Sequence, residues 1–189
     1  MKAPARPRLL GIDDGPFQKG VDATTPLVAA LVEGGDRLEG VAIHSFPVDG
    51  EGVTGFLADW IRGLRFHPAA HAVVLGGVTI AGLAIVDLPA LAEALGLPVI
   101  AVSRRDPSDH RVAAALEAAG LAARIPLLER APEAWAVDER LHASVAGAPR
   151  ERAQALLLAS RGKSALPEAL RVAHLIAAAV VRGSSRGRA

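Results

Sequence analysis

The order in which strand and helix signals arrive constrains this chain more than any single motif. "LLGIDDGPF" (Leu9 to Phe17) reads as a short apolar strand that stops at Gly15-Pro16. "TPLVAALVEGG" (Thr25 to Gly35) reads as a second strand ending in a Gly-Gly turn. "RLEGVAIHSFPV" (Arg37 to Val48) reads as a third, and the short link predicts a hairpin between the two. Only then does a helical period arrive. "GVTGFLADWIRGL" (Gly52 to Leu64) spaces Val53, Phe56, Leu57, Trp60, Ile61 and Leu64 along one face.

From there strands and helices alternate. "HAVVLGGVTIAG" (His71 to Gly82) reads as a strand running into a Gly-rich loop. "DLPALAEALG" (Asp87 to Gly96) reads as a helix with Asp87 as N-cap and Pro89 in its first turn. "LPVIAVS" (Leu97 to Ser103) has the continuous apolar character of a strand buried on both faces. A helix over 108–120, a late strand over 141–147 and two helices over 149–160 and 166–183 complete the pattern. A leading antiparallel meander followed by this alternation predicts an α/β mixed sheet with helices on both faces. That is the ribonuclease H-like order. Flavodoxin-like and Rossmann folds fit less well, because "GIDDGPF" is no phosphate-binding GxGxxG turn.

Length suits one domain, expected over 1–183, with 184–189 as a flexible basic tail. With no cysteine, neither a disulfide framework nor a thiolate zinc site is available. The basic N-terminus lacks an apolar core for a secretory signal, and "VAHLIAAAVV" is too short to span a bilayer. A cytoplasmic protein without a membrane partner is expected. Net charge is only +1, which argues against a strongly basic nucleic-acid coat. The charge is unevenly spread: residues 1–95 hold 7 Lys/Arg against 11 Asp/Glu, and residues 96–189 hold 14 against 9. That asymmetry suits a site with cations on one side and phosphates on the other.

Asp13 and Asp14 are the first chemistry-bearing pair. Successive strand side chains point to opposite faces, so the two carboxylates are not equivalent. Acids at a strand end are one way to present oxygen ligands to a hard cation. The plainer reading is that one caps the turn and the other is solvated. Arg104 and Arg105 follow a buried strand, on the side where α/β sheets place their ligands. Arg182, Arg186 and Arg188 lie at the C-terminal end, where they are expected to clamp a phosphate backbone. His174 sits among Val172, Leu175 and Ile176 and reads as a core histidine.

Taken in order, "GIDDGPF", "VVLGGVTIAGLAIVD", "LPVIAVSRRDPSD" and "LPEALRVAHLIAAAVVRGSSRGR" resemble the endonuclease dU family, from about Leu9 to Arg188. That family is similar to endonuclease V, a metal-dependent nuclease of ribonuclease H-like fold acting on deaminated bases. The resemblance implies a DNA-repair endonuclease with Mg or Mn, in which Asp13, Asp14 and Asp49 are the catalytic and metal-holding acids. Asp49 and Glu51 in "VDGEG" compete for the second acid of the set. The third acid of the relatives falls on Gly76-Gly77, and their histidine falls near Ala148. Both positions lack the expected group. The implied partner is DNA, damaged or single-stranded, with a homo-oligomer also allowed. Two rival readings remain open: a catalytically weakened nucleic-acid-binding subunit, and a small-molecule protein using the Gly-rich loop after Val74-Leu75.

Overall fold

The computed structural model describes residues 4–105 and 111–186. Strand β1 (Arg8–Asp14) pairs antiparallel with β2 (Thr24–Glu33), which pairs antiparallel with β3 (Arg37–Pro47). Helix α1 (Val53–Gly63) follows, and then β4 (Ala72–Leu75) lies parallel to β1 on its other side. A two-stranded ribbon, β5 (Thr79–Ile80) with β6 (Ala84–Ile85), grows from the Gly-rich loop. Helix α2 (Leu88–Leu95) leads to β7 (Val99–Ser103), parallel to β4. Helices α3 (Arg111–Ala118) and α4 (Ile125–Leu128) precede β8 (Trp135–Asp138) and β9 (Leu141–Ala146). Helices α5 (Arg150–Ala159) and α6 (Glu168–Arg182) close the chain.

The main sheet has seven strands in the order β3-β2-β1-β4-β7-β9-β8. The antiparallel meander comes first, as expected. On one face α1 and α2 cover Leu10, Ile12, Leu27, Val73 and Leu75. On the other, α5 and α6 cover Leu9, Val74, Ile100 and Val102. The alternation of Leu9 and Leu10 between the two cores follows from the two-residue period of a strand.

Asp87 caps α2 as its sequence predicts: its carboxylate accepts the Ala90 amide at 3.0 Å. The strand that begins at Ala72 ends at Leu75 and runs into the Gly-rich loop that the sequence predicts, where Gly76 and Gly77 release the chain into the small ribbon. Strand β8 was not foreseen, since four residues in an acidic, Pro-bounded stretch carry no clear period. Of the helix expected over 108–120, residues 108–110 lie outside the described residues, and the remainder is α3.

Close packing of α6 on β1 sets the site. Gly11 has no room for a side chain: a Cβ there would fall 2.2 Å from the Ala169 carbonyl carbon. At Gly15 a Cβ would come within 3.1 Å of the Ala177 carbonyl oxygen. Ala169, Ala173 and Ala177, four residues apart, present a small-residue stripe to the sheet and are fully buried. Gly11 and Asp13 share one face of β1 by the same two-residue period, and Gly15 follows just past the strand end. The helix therefore lies against that face, and Asp13 meets it between the two glycines.

Candidate nucleic-acid cleavage site

At the C-terminal end of β1 the two acids part company. Asp13 turns towards α6, where its Oδ2 lies 2.6 Å from Nδ1 of His174. Its Oδ1 faces the neighbouring strand end, 3.3 Å from where a Cβ on Gly76 would stand. Asp14 turns to the opposite face, where the backbone of Ala81 borders its carboxylate. Burial, reinforced by the Asp13 charge, pushes its carboxyl up to about 6.

His174 is a correction to the sequence reading. It is not a core residue: its side chain is 66% exposed, on the rim of α6. The hydrogen bond to Asp13 raises its pKa, and burial and the nearby Arg104 charge oppose the rise. Ala178, Arg182, Ser184, Ser185 and Arg186 line a cleft of about 720 Å³ that opens beside His174. Arg104 and Arg105 are exposed directly after β7. Arg188 lies outside the described residues. Among the expected backbone-binding residues, Arg104 is near enough for its charge to act on His174, and Arg182 and Arg186 line the cleft beside it.

Asp49 behaves differently from the expectation. Its backbone sits at φ 54, and its amide donates to the Ala81 carbonyl at 2.8 Å. Its Oδ1 accepts the Leu83 amide at 2.7 Å, and its Oδ2 faces Lys19 at 3.4 Å. Arg124 donates to the Asp49 carbonyl at 2.7 Å and to the Leu83 carbonyl at 2.8 Å. Asp49 is therefore a strap that holds the Ala81–Leu83 turn. That turn in turn borders the Asp14 carboxyl.

A set of three carboxylates is not what the described residues form. Among them, no group of three or more His, Asp or Glu side chains is placed to hold a metal ion. What remains at the end of β1 is two carboxylates, Asp13 and Asp14, on opposite faces of the strand. Cations of the Mg type are commonly held by one or two carboxylates and completed by water and substrate phosphate. Asp13 Oδ1 and the Asp14 carboxyl are two like charges at one strand end, an arrangement a cation relieves.

The sequence of this chain matches the family model described as endonuclease dU over residues 5–181. A UPF0215 protein from Methanothermobacter thermautotrophicus is 36% identical over 186 residues, covering 96% of this chain and 91% of its own. Another from Thermococcus gammatolerans is 34% identical and covers 94% of each chain. A crystal structure of a protein of unknown function from Archaeoglobus fulgidus superposes with a TM-score of 0.84 at 28% identity. It covers 94% of this chain and 99% of that one. Endonuclease V from Streptomyces avermitilis superposes at 0.56 with 17% identity, over 90% of this chain and 79% of that one. Endonuclease V from Ciona intestinalis, in complex with a DNA containing an inosine followed by a ribo-adenosine, gives 0.53 at 12% identity. It covers 89% of this chain and 82% of that one. These last two likenesses speak for a shared fold.

Proposed function

This chain belongs to the endonuclease dU family, and from that premise we propose that it hydrolyses phosphodiester bonds in DNA carrying damaged or deaminated bases. The observation that carries the reading is the Asp13–His174 pair at the end of β1, beside Asp14 and a cleft lined by Arg182 and Arg186. The endonuclease V structures with this fold, one of them bound to an inosine-containing DNA, support a nucleic-acid partner.

In this reading Asp13 and Asp14 hold Mg or Mn, which when bound polarises the phosphodiester and lowers the pKa of the attacking water. Arg104, Arg182 and Arg186 bind the backbone phosphates, and charge-assisted bonds from Arg guanidinium groups suit that task. His174 keeps a proton on Nδ1 for Asp13 Oδ2, which fixes the carboxylate with Oδ1 turned towards the gap over Gly76. Asp49 has no part in holding the cation. It supports the site from behind by fixing the Ala81–Leu83 turn.

A cleavage assay tests the proposal: uracil-, inosine- and undamaged duplex and single-stranded oligonucleotides are incubated with Mn²⁺ and with chelator. Metal-dependent cleavage that favours a damaged strand supports it. Tight binding of the same oligonucleotides without cleavage would instead support the weakened, binding-only subunit that Gly76 allows.

A further inference from the structure

We propose that β3 is the interface of a homodimer, in which the β3 strands of two copies pair antiparallel about a twofold axis at Ala42. The inference stands apart from the nuclease reading. β3 is the outermost strand of the sheet, and its open edge presents backbone groups without a partner strand, with the Ser45 amide donating to Nδ1 of the neighbouring His44 at 2.8 Å. Three of the chain's exposed large apolar residues lie on it: Leu38 at 49%, Val41 at 40% and Ile43 at 51%.

A bulge at Glu39 puts all three on one face. Leu31 pairs with Gly40 and Val32 with Leu38, so Leu38 is brought to the side of Val41 and Ile43. Helix α6 packs on β1 and β2 on that side and leaves the stripe uncovered. The opposite face is aromatic. His44 packs edge-on against Phe56 and Trp60 of α1, with centroids 4.9 and 5.9 Å away. The Phe66 ring covers Gly40, where a Cβ would clash at 2.7 Å.

This edge lacks the usual protections. It carries no lysine, and its only Pro is the terminal Pro47. Its two full charges, Arg37 and Glu39, lie at one end and are engaged with Glu33 and Arg8. Residues 40–46 carry neither Lys, Arg, Asp nor Glu.

A second copy fits this edge better than another partner because the segment is complementary to itself. With Ala42 on the axis, Val41 of each strand stands opposite Ile43 of the other, giving two apolar cross-strand pairs on the uncovered face. On the other face His44 stands opposite Gly40, a ring over the position with no side chain. The charged end meets Ser45 and Pro47, so no like charges oppose. Closed twofold pairing also removes the open edge instead of propagating it. The contact is small beside the ~800 Å² per partner of a standard interface, which sets the expected dissociation constant in the micromolar range.

The test is sedimentation velocity of the full chain across a concentration series, for wild type and Ile43→Lys, with circular dichroism to confirm that both fold. Wild type is expected to pass from monomer to dimer, and Ile43→Lys to remain monomeric. Because the chain has no cysteine, Ala42→Cys supplies a single-thiol probe of the axis. Oxidation should convert it to a covalent dimer, with Val21→Cys, exposed in the loop before β2 and off the proposed twofold axis, as the uncrosslinked control. A wild type that stays monomeric at all concentrations, or a dimer that survives Ile43→Lys, overturns the proposal. So does a monomer whose Trp60 fluorescence responds to single-stranded oligonucleotide, which would assign this edge to nucleic acid.

Discussion

His174 Nδ1 and Asp13 Oδ2 stand 2.6 Å apart although 161 residues separate them in the chain. The pairing raises the His174 pKa above its ordinary 6.5. The stability it contributes is therefore complete below about 6.5 and is lost as pH rises through the folded-state value. The expected result is a melting-temperature gap between wild type and His174→Ala that is wider at pH 5.5 than at pH 9. Equal gaps at both pH values would mean that the pair does not titrate as described. Because the histidine is largely exposed, its removal should cost less than about 1 kcal/mol of stability while lowering cleavage roughly 100-fold.

Asp14 has the opposite sign. Its folded pKa of about 6 lies above the ordinary 3.8, so the fold disfavours its ionised form. That penalty is complete above about pH 6 and fades as pH falls towards about 4. Asp14→Asn keeps the shape of the side chain without the charge. At pH 8, without divalent cation, it should be more stable than wild type by roughly 2 kcal/mol, and cleavage should be lost. Chemical denaturation at pH 8 and pH 5 checks this, with the difference shrinking at pH 5.

Gly76 adjoins Asp13 just past the end of β4, where the family resemblance implies an acid. Its backbone is not left-handed, and a Cβ would meet Asp13 Oδ1 at 3.3 Å and Leu170 Cδ1 at 4.0 Å. Gly76→Asp is therefore expected to fold, and to be less stable than wild type by about 1 kcal/mol without cation, from like-charge repulsion. Calorimetry should show Mn²⁺ binding at least several-fold tighter than in wild type. Gly76→Ala, which adds the atom without the ligand, should show no gain.

Asp49 separates support from chemistry. Asp49→Ala removes the acceptor of the Leu83 amide and puts alanine at φ 54. A loss of about 2 kcal/mol in stability is expected, with faster amide exchange at Leu83. Mn²⁺ affinity of the folded variant should stay within about threefold of wild type, since Asp49 holds the turn and not the cation. A loss of affinity as large as that of Asp13→Asn would return Asp49 to the ligand set.

The strand end carrying Asp13 and Asp14 was legible in the sequence because both signals are local: a two-residue period and a Gly-Pro stop. His174 was not. Its neighbours at helical spacing are apolar, and the contact that turns it towards Asp13 depends on how α6 lies across β1. Only a longer-range signal hinted at it: glycines two residues either side of Asp13, matched by alanines every four residues in α6. Asp49 is the converse case. Its position after β3 suits a ligand, but its carboxylate is taken by a turn whose geometry arises from Gly82 and its neighbours.

The most direct test of the account is Mn²⁺-dependent cleavage of an inosine- or uracil-containing strand by wild type and Asp13→Asn, each shown to be folded by its melting curve. The account predicts cleavage by wild type and a fall of at least 100-fold in Asp13→Asn, with melting temperatures within a few degrees. Equal cleavage by the two folded proteins would contradict it.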